Sequence, residues 1–462
     1  MAAAIRAALT FKMKSFFVKT IIFHNGLYNI TLNKFNKHRI SADNFDMAKN
    51  SGKNKKTKKN QKEKKAVQIK KSTLFTIIGI VAGIAIIIST ICVVRSIKKK
   101  ISDRTVHIAF YGLPEDKCEL LKKYIPQEEN INLEFDVIPD NAFDLAVVKQ
   151  KYDMLLTWKG EITESLSGVA EEIPDAVFAV MPSALRDKEK KCASILLDHC
   201  EFSYNTDVFK KTGIENLPSS FNSFMDYLNS AKNVVFSPFF CNGAEDRILI
   251  DFVGSLVMAN GGLNAYQKLL AEMKKVETLE EIIDVDLGGN GFTMRQVLDM
   301  LKQWPKQGFT HPAWYNGRGN DLLYFAEDGQ LGVFFTLLSE HRKIPYNVIK
   351  NYETFLVPPN FDGSNYGLIA PAISCMLLSD NSHCKRYITN FFIEETQEEL
   401  SNVTNLAPVH ARVQAYDRQA DDVRFWAASC KGGAVPDLYY GVYQRKTEEL
   451  AKMCTEIRNY VR

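Results

Sequence analysis

Residues 74–94, "LFTIIGIVAGIAIIISTICVV", are 21 residues without a charge, and no other stretch restricts this chain so sharply. A helix rises about 1.5 Å per residue, so the run reaches about 31 Å, the depth of a bilayer's hydrocarbon core. A buried core helix is the other structure open to such a run. Hydrophobicity on every side and lysine-rich flanks favour the membrane span. Residues 47–71 carry 11 lysines against the single acid Glu63, whereas only Arg95, Lys98, Lys99, Lys100 and Arg104 follow the run closely. That bias puts the amino terminus in the cytoplasm and the body outside, at the cytoplasmic (inner) membrane. A cleaved signal peptide fits less well, because the run is too long and no small-x-small site closes it. Cys92 is a poor site for bacterial lipid attachment, since Ile91 stands where a small residue is wanted.

The expected organisation follows. Residues 1–72 form a basic, disordered cytoplasmic tail, 73–95 a single transmembrane helix, 96–104 a basic linker, and 105–462 a globular body. "MAKNSGKNKKTKKNQKEKK", from Met47, reads like a natural cytoplasmic start, so translation is expected to begin there. Residues 1–104 hold 23 Lys and Arg against 4 Asp and Glu, while 105–462 hold 35 against 50. A basic head therefore precedes an acidic body. Such a body lacks the clustered positive charge that a phosphate backbone requires, which argues against a nucleic-acid partner.

From Thr105 the pattern alternates between strands and helices. "VHIAFYG" and "YDMLLTW" are short apolar runs, "INLEFDVIP" alternates, and "EDKCELLKKYI" has helical spacing. This is the signature of an α/β fold with a largely parallel sheet, whose ligands lie beyond the carboxyl ends of the strands. Tyr111, Thr157 and Trp158 stand at such ends. "RILIDFVGSLVMANGG" reads as a long apolar-faced helix stopped by Gly262. Eight cysteines follow the apolar run without a CxxC pair or zinc spacing, so no metal site is expected. Cys375 and Cys384 are close enough in sequence to pair; scattered buried thiols are the alternative.

"LLDHCEFSYNTDVFKKTGIENLPSSFNSFMDYL" then carries a resemblance. Its strand, Tyr204-Asn205, Phe209, Gly213-Ile214, Pro218 and Phe221 resemble the crossover of extracellular solute-binding proteins of bacterial ABC importers. "YFAEDGQLGVFFT", "GLIAPAISCMLLSDNSHCKRYITNFFIEETQEELS" and "NLAPVHARV" resemble later segments of that family in the same order. The likeness covers about 105–462 and is greatest to the sugar-binding branch of the type II periplasmic-binding fold.

The resemblance implies two α/β lobes closing on a ligand, lobe 1 from about 105–198 and 369–408, lobe 2 from about 203–365 and 409–462. Asp198 to Ser203 and Tyr366 to Pro371 become chain crossovers. Asp198 and His199 would line the cleft, or else be satisfied hinge residues. Trp158 and Tyr111 would enter from lobe 1, and Tyr439 or Tyr440 from "AVPDLYYGVYQ" in lobe 2. Tyr366 sits at the second crossover. At Thr336 to Glu340 the family has a glycine-rich turn ending in tryptophan; here "TLLSE" leaves Ser339 and Glu340 there, which puts sugar specificity in doubt. Trp314 could substitute, though packing suits it better.

The resemblance thus implies a receptor for a small solute, a sugar or oligosaccharide, delivering it to ABC permease subunits. A sensor or structural protein that kept the fold without transport is the alternative. No GxSxG, HExxH or P-loop pattern points to an enzyme, and no cofactor is expected.

Overall fold

The computed structural model describes residues 83, 86, 88–90, 104–360, 366–415 and 418–462. The expected membrane span and the tail before it lie outside these residues, except for the few positions between 83 and 90. Those positions are helical, with Ile86 and Ile88 exposed.

Two mixed sheets organise the rest. The first takes β1 (Thr105–Tyr111), β2 (Asn132–Ile138), β3 (Met154–Trp158), β4 (Ala193–Leu197), β10 (Ala372–Leu377) and β11 (Ala407–Pro408), in the order β11-β4-β10-β3-β1-β2. The second takes β5 (Cys200–Asn205), β6 (Ser237–Cys241), β7 (Leu331–Leu337) and β8 (Tyr352–Leu356), in the order β6-β7-β5-β8. β12 (Ala434–Val435) pairs with β9 (Leu368–Ile369) beside them.

The expectation of a largely parallel sheet needs correcting. β1 is parallel to β2 and β3, but β10 is antiparallel to β3 and β4. The cause is connectivity: β10 enters from the second sheet, so it runs against the strands that precede the crossing.

The crossings lie side by side. Asp198 and His199 alone separate β4 from β5, and the Asp198 N–H donates to the Pro371 carbonyl at 2.6 Å. A third passage follows β11. Buried Gln397 fastens it, its amide donating to the Ile195 and Phe391 carbonyls while its oxygen accepts from the Val409 and His410 N–H groups.

Helices cover the sheets: α1 (Glu115–Lys123), α2 (Glu161–Ser167), α3 (Asp246–Met273), α4 (Met294–Gln307), α5 (Leu338–His341), α6 (Glu394–Thr404), α7 (Arg418–Ser429) and α8 (Thr447–Val461). α3 has the length and composition to cross a bilayer, yet 78% of its most apolar window is buried. Leu249, Phe252, Val253 and Leu256 are fully enclosed, each contributing about 1.5–3 kcal/mol by leaving water. It is a core helix. Gly262 breaks α3 rather than ending it: φ +81 and ψ −178 are backbone angles open essentially to glycine only, and the helix resumes to Met273. The eight described cysteines are all buried free thiols, so Cys375 and Cys384 are not joined.

Candidate functional site

Trp158 ends β3, and its ring stacks on Tyr440 with centroids 4.6 Å apart and planes 13° apart. Two of the aromatics expected to enter the cleft from opposite lobes therefore touch one another. Tyr440 belongs to a π-helical turn, Tyr439–Tyr443, between β12 and α8. The Tyr440 N–H donates to Asp437 Oδ1 at 3.0 Å, and the Tyr439 N–H to Asp251 Oδ1 at 3.1 Å.

Beneath the stack, Asp198 Oδ2 accepts a 2.6 Å hydrogen bond from the Ser339 hydroxyl, and its Oδ1 accepts from the Ser339 and His199 N–H groups, both at 3.0 Å. The carboxylate thus sits at the amino end of short α5, where an anion is favoured. Burial nevertheless raises the Asp198 carboxyl above its ordinary range, with Arg247 and the Ser339 bonds opposing it.

Trp158, Asp198, Arg247, Ser339, Glu340 and Tyr440 surround a cavity of about 270 Å³, with Asp116, Lys117 and Lys343 near them. A larger opening of about 810 Å³ lies along β8 and α7, lined by Tyr346, Tyr352, Phe355, Gln419 and Trp426. The smaller one lies where both sheets end and the crossovers meet, which is where an α/β fold places its ligand.

The other expected residues are elsewhere. Tyr111 is fully buried with its ring 4.4 Å from Phe143, and burial pushes its hydroxyl up to about 12. His199 packs 5.0 Å from Trp426, and its Nδ1 lies 3.5 Å from buried Glu201, which also meets His341 at 3.1 Å. Trp314 is enclosed edge-on against Phe252 in the second lobe, so packing is the role its position gives it. Tyr366 is buried and donates to the Val357 carbonyl at 2.7 Å. Tyr439 is half-buried beside Tyr440.

Sequence reasoning missed Arg247, Asp251 and Asp437. Arg247 stands in the first turn of α3, where the helix dipole opposes a cation. Its Nε lies 3.8 Å from Asp251 Oδ2, and its Nη2 lies 3.7 Å from Asp437 Oδ2. Burial, together with the nearby Asp437 carboxylate, raises the Asp251 carboxyl well above the ordinary range. Burial likewise raises Asp437, against the pull of Arg247. The legible signal was an i, i+4 Arg–Asp pair opening the mostly apolar first half of α3.

The lobes also meet directly. The Gln444 amide donates to Thr157 Oγ1 at 3.2 Å, Arg445 pairs with Glu161 at 2.5 Å, and Lys274 pairs with Glu164 at 2.5 Å. Gly160 lies so close that an added Cβ would stand 2.2 Å from the Tyr440 carbonyl oxygen.

Two mixed sheets joined by adjacent crossovers, with a polar cleft at the joint, make the two-lobed type II fold of periplasmic solute-binding proteins. Solved structures share it at low sequence identity. The bacterial solute receptor AcbH, described as having an exclusive preference for β-D-galactopyranose, superposes with a TM-score of 0.61 at 12% identity, covering 77% of this chain and 96% of that one. A chitin oligosaccharide binding protein gives 0.52 at 16%, covering 77% and 98%. RafE from Streptococcus pneumoniae, in its apo form, gives 0.52 at 14%, covering 78% and 97%. No protein-family model matches the sequence, and no curated protein matches it.

Proposed function

We propose that the chain is a membrane-anchored extracytoplasmic receptor that traps a small, carbohydrate-like solute by hinge closure and delivers it to an ABC permease. The observation that carries this reading is the convergence of Trp158 and Asp198 with Ser339 and Tyr440 on one cavity drawn from both lobes. Sugars offer hydroxyls to a carboxylate and C–H faces to aromatic rings. The ligands named for AcbH and for the chitin oligosaccharide binding protein support the carbohydrate class. At about 270 Å³ the cavity lies just below the usual ligand-site range of about 300–1,000 Å³, which suits a solute of monosaccharide size.

In this reading the Trp158–Tyr440 stack parts as the lobes open, and a sugar ring enters between the two faces. Asp198 keeps its Ser339 bonds and accepts from ligand hydroxyls at the hinge. Closure is then a population shift, driven only by the ligand's greater affinity for the closed form. A second reading, a sensor or structural protein without transport, is favoured by the direct contacts that hold the lobes together around their own side chains.

A thermal-shift screen of the full-length chain against sugars, oligosaccharides, polyols and polyamines separates a solute-binding protein from a purely structural one. A ligand at one hundred times its Kd adds about 2.7 kcal/mol and raises the melting point. Asp198→Ala and Trp158→Ala should each weaken that ligand by about tenfold or more while the protein stays folded. If no compound shifts the melt, the structural form of the second reading takes over.

A further inference from the structure

Arg247 is held in the manner of a bound cation. Its guanidinium carbon lies 4.8 Å from the Tyr440 ring centre, 5.5 Å from Tyr439 and 5.9 Å from Trp158, so rings from both lobes surround it. Aromatic faces at such distances attract a positive charge. Three buried carboxyl groups, Asp198, Asp251 and Asp437, stand around this one guanidinium. Asp251 and Asp437 each spend one oxygen on the Tyr439–Tyr440 turn and aim the other at Arg247. At 3.8 and 3.7 Å those oxygens fall short of hydrogen-bond reach. Nε and Nη2 of Arg247 lack hydrogen-bond partners, whereas the Asp251 and Asp437 carboxyls hydrogen-bond one another. The cage is wider than the group inside it.

In the buried layer three carboxyl groups stand around one guanidinium, with Asp251 the most strongly raised by burial, while Lys117 and Lys343 lie farther out on the same cavity. An anionic solute would worsen the imbalance, and a neutral one would leave it unused. Burial raises all three carboxyls, and Arg247 opposes the rise in each. Arg247 lines the cavity and keeps 28% of its side chain exposed, while its Nε and Nη2 are enclosed. At the rim stand the carboxylates of Asp116 and Glu340, the latter paired with Lys343 at 2.7 Å.

We propose that the cleft recognises a solute bearing a protonated amine or guanidinium, and that Arg247 occupies that group's place until the solute displaces it. This rests on reading the cleft as a solute site. It narrows the solute to a cation, an amino sugar or amino polyol among them, and makes Arg247 a built-in competitor.

The test is calorimetry and tryptophan fluorescence on the full-length protein with agmatine, glucosamine, glucose and glucuronate. Agmatine or glucosamine should bind the parent, and glucuronate should not. Arg247→Ala empties the cage and should bind agmatine at least about tenfold tighter than the parent does. Should Arg247→Ala fold poorly, agmatine should raise its melting point, whereas glucose should not. Asp437→Asn, which retains Arg247, should lose about tenfold in agmatine affinity. Binding of glucose with no response to either cation overturns this inference and leaves the solute-receptor reading standing. Unchanged agmatine affinity in Asp437→Asn overturns it as well. Silence from all four probes in the parent and both variants overturns the inference and the receptor reading together.

Discussion

Gly160 shows how much one side chain can decide. It sits between Trp158 and α2, where the backbone of the first lobe meets the Tyr440 carbonyl of the second. A methyl group there has no room, and the obstacle is backbone, which cannot rotate away. Gly160→Ala is therefore expected to prise the lobes apart. Small-angle scattering should record a larger radius of gyration, and any ligand found for the parent should bind at least about tenfold more weakly. An unchanged radius would show that closure does not depend on that contact. Asp198 is the complementary case, legible as a polar residue where an apolar strand should continue. Its partner Ser339 lies far along the chain, in a segment that stood out only for lacking the family's tryptophan.

At the scale of elements, α3 combines a core role with a site role. Its apolar face was plain from spacing, and Gly262 was plain as a punctuation mark. Periodicity could not show that the helix resumes beyond the glycine, because a break and an end read alike in sequence. Gly262→Ala places a Cβ in backbone angles that disfavour it, and about 1–3 kcal/mol of stability should be lost in urea unfolding. The amino end of α3 makes a pH prediction. Asp251 is raised chiefly by burial, so the folded protein holds its proton at pH values where the unfolded chain, near 3.9, has released it. The folded state then binds more protons, and this group's contribution to stability declines as pH rises from the ordinary carboxylate range through the raised value. Asp251→Asn removes that term. As pH rises above about 4, the parent should lose stability more steeply than the variant in urea titrations; parallel profiles would contradict the assignment.

Across the whole molecule, the hinge depends on contacts no local pattern contains. Gln397 gathers four backbone groups from β4, the turn before α6 and the third crossing. Gln397→Ala leaves buried donors and acceptors unpaired, so a loss of about 3–5 kcal/mol is expected, measured as a fall in the urea midpoint. Gln397→Glu keeps the acceptor for the Val409 and His410 N–H groups, yet adds a buried charge facing two carbonyls, and should fare no better.

The sequence by itself determined the strands and helices, the two crossovers, the opposed charges of head and body, and Trp158, Asp198 and Tyr440 as candidates. The elements and Trp158 are legible because hydrophobic period, turn residues and strand ends act over a few neighbours, whereas the crossovers and Tyr440 came from the resemblance to solute-binding proteins. Tertiary structure alone decided that Trp158 meets Tyr440, that Trp314 and Tyr366 pack away from the cavity, and that Arg247 sits among Asp198, Asp251 and Asp437. Those residues come from six separated segments, and their encounter depends on how two sheets are docked. Docking is fixed by the sum of many distant contacts, which no short window of sequence contains.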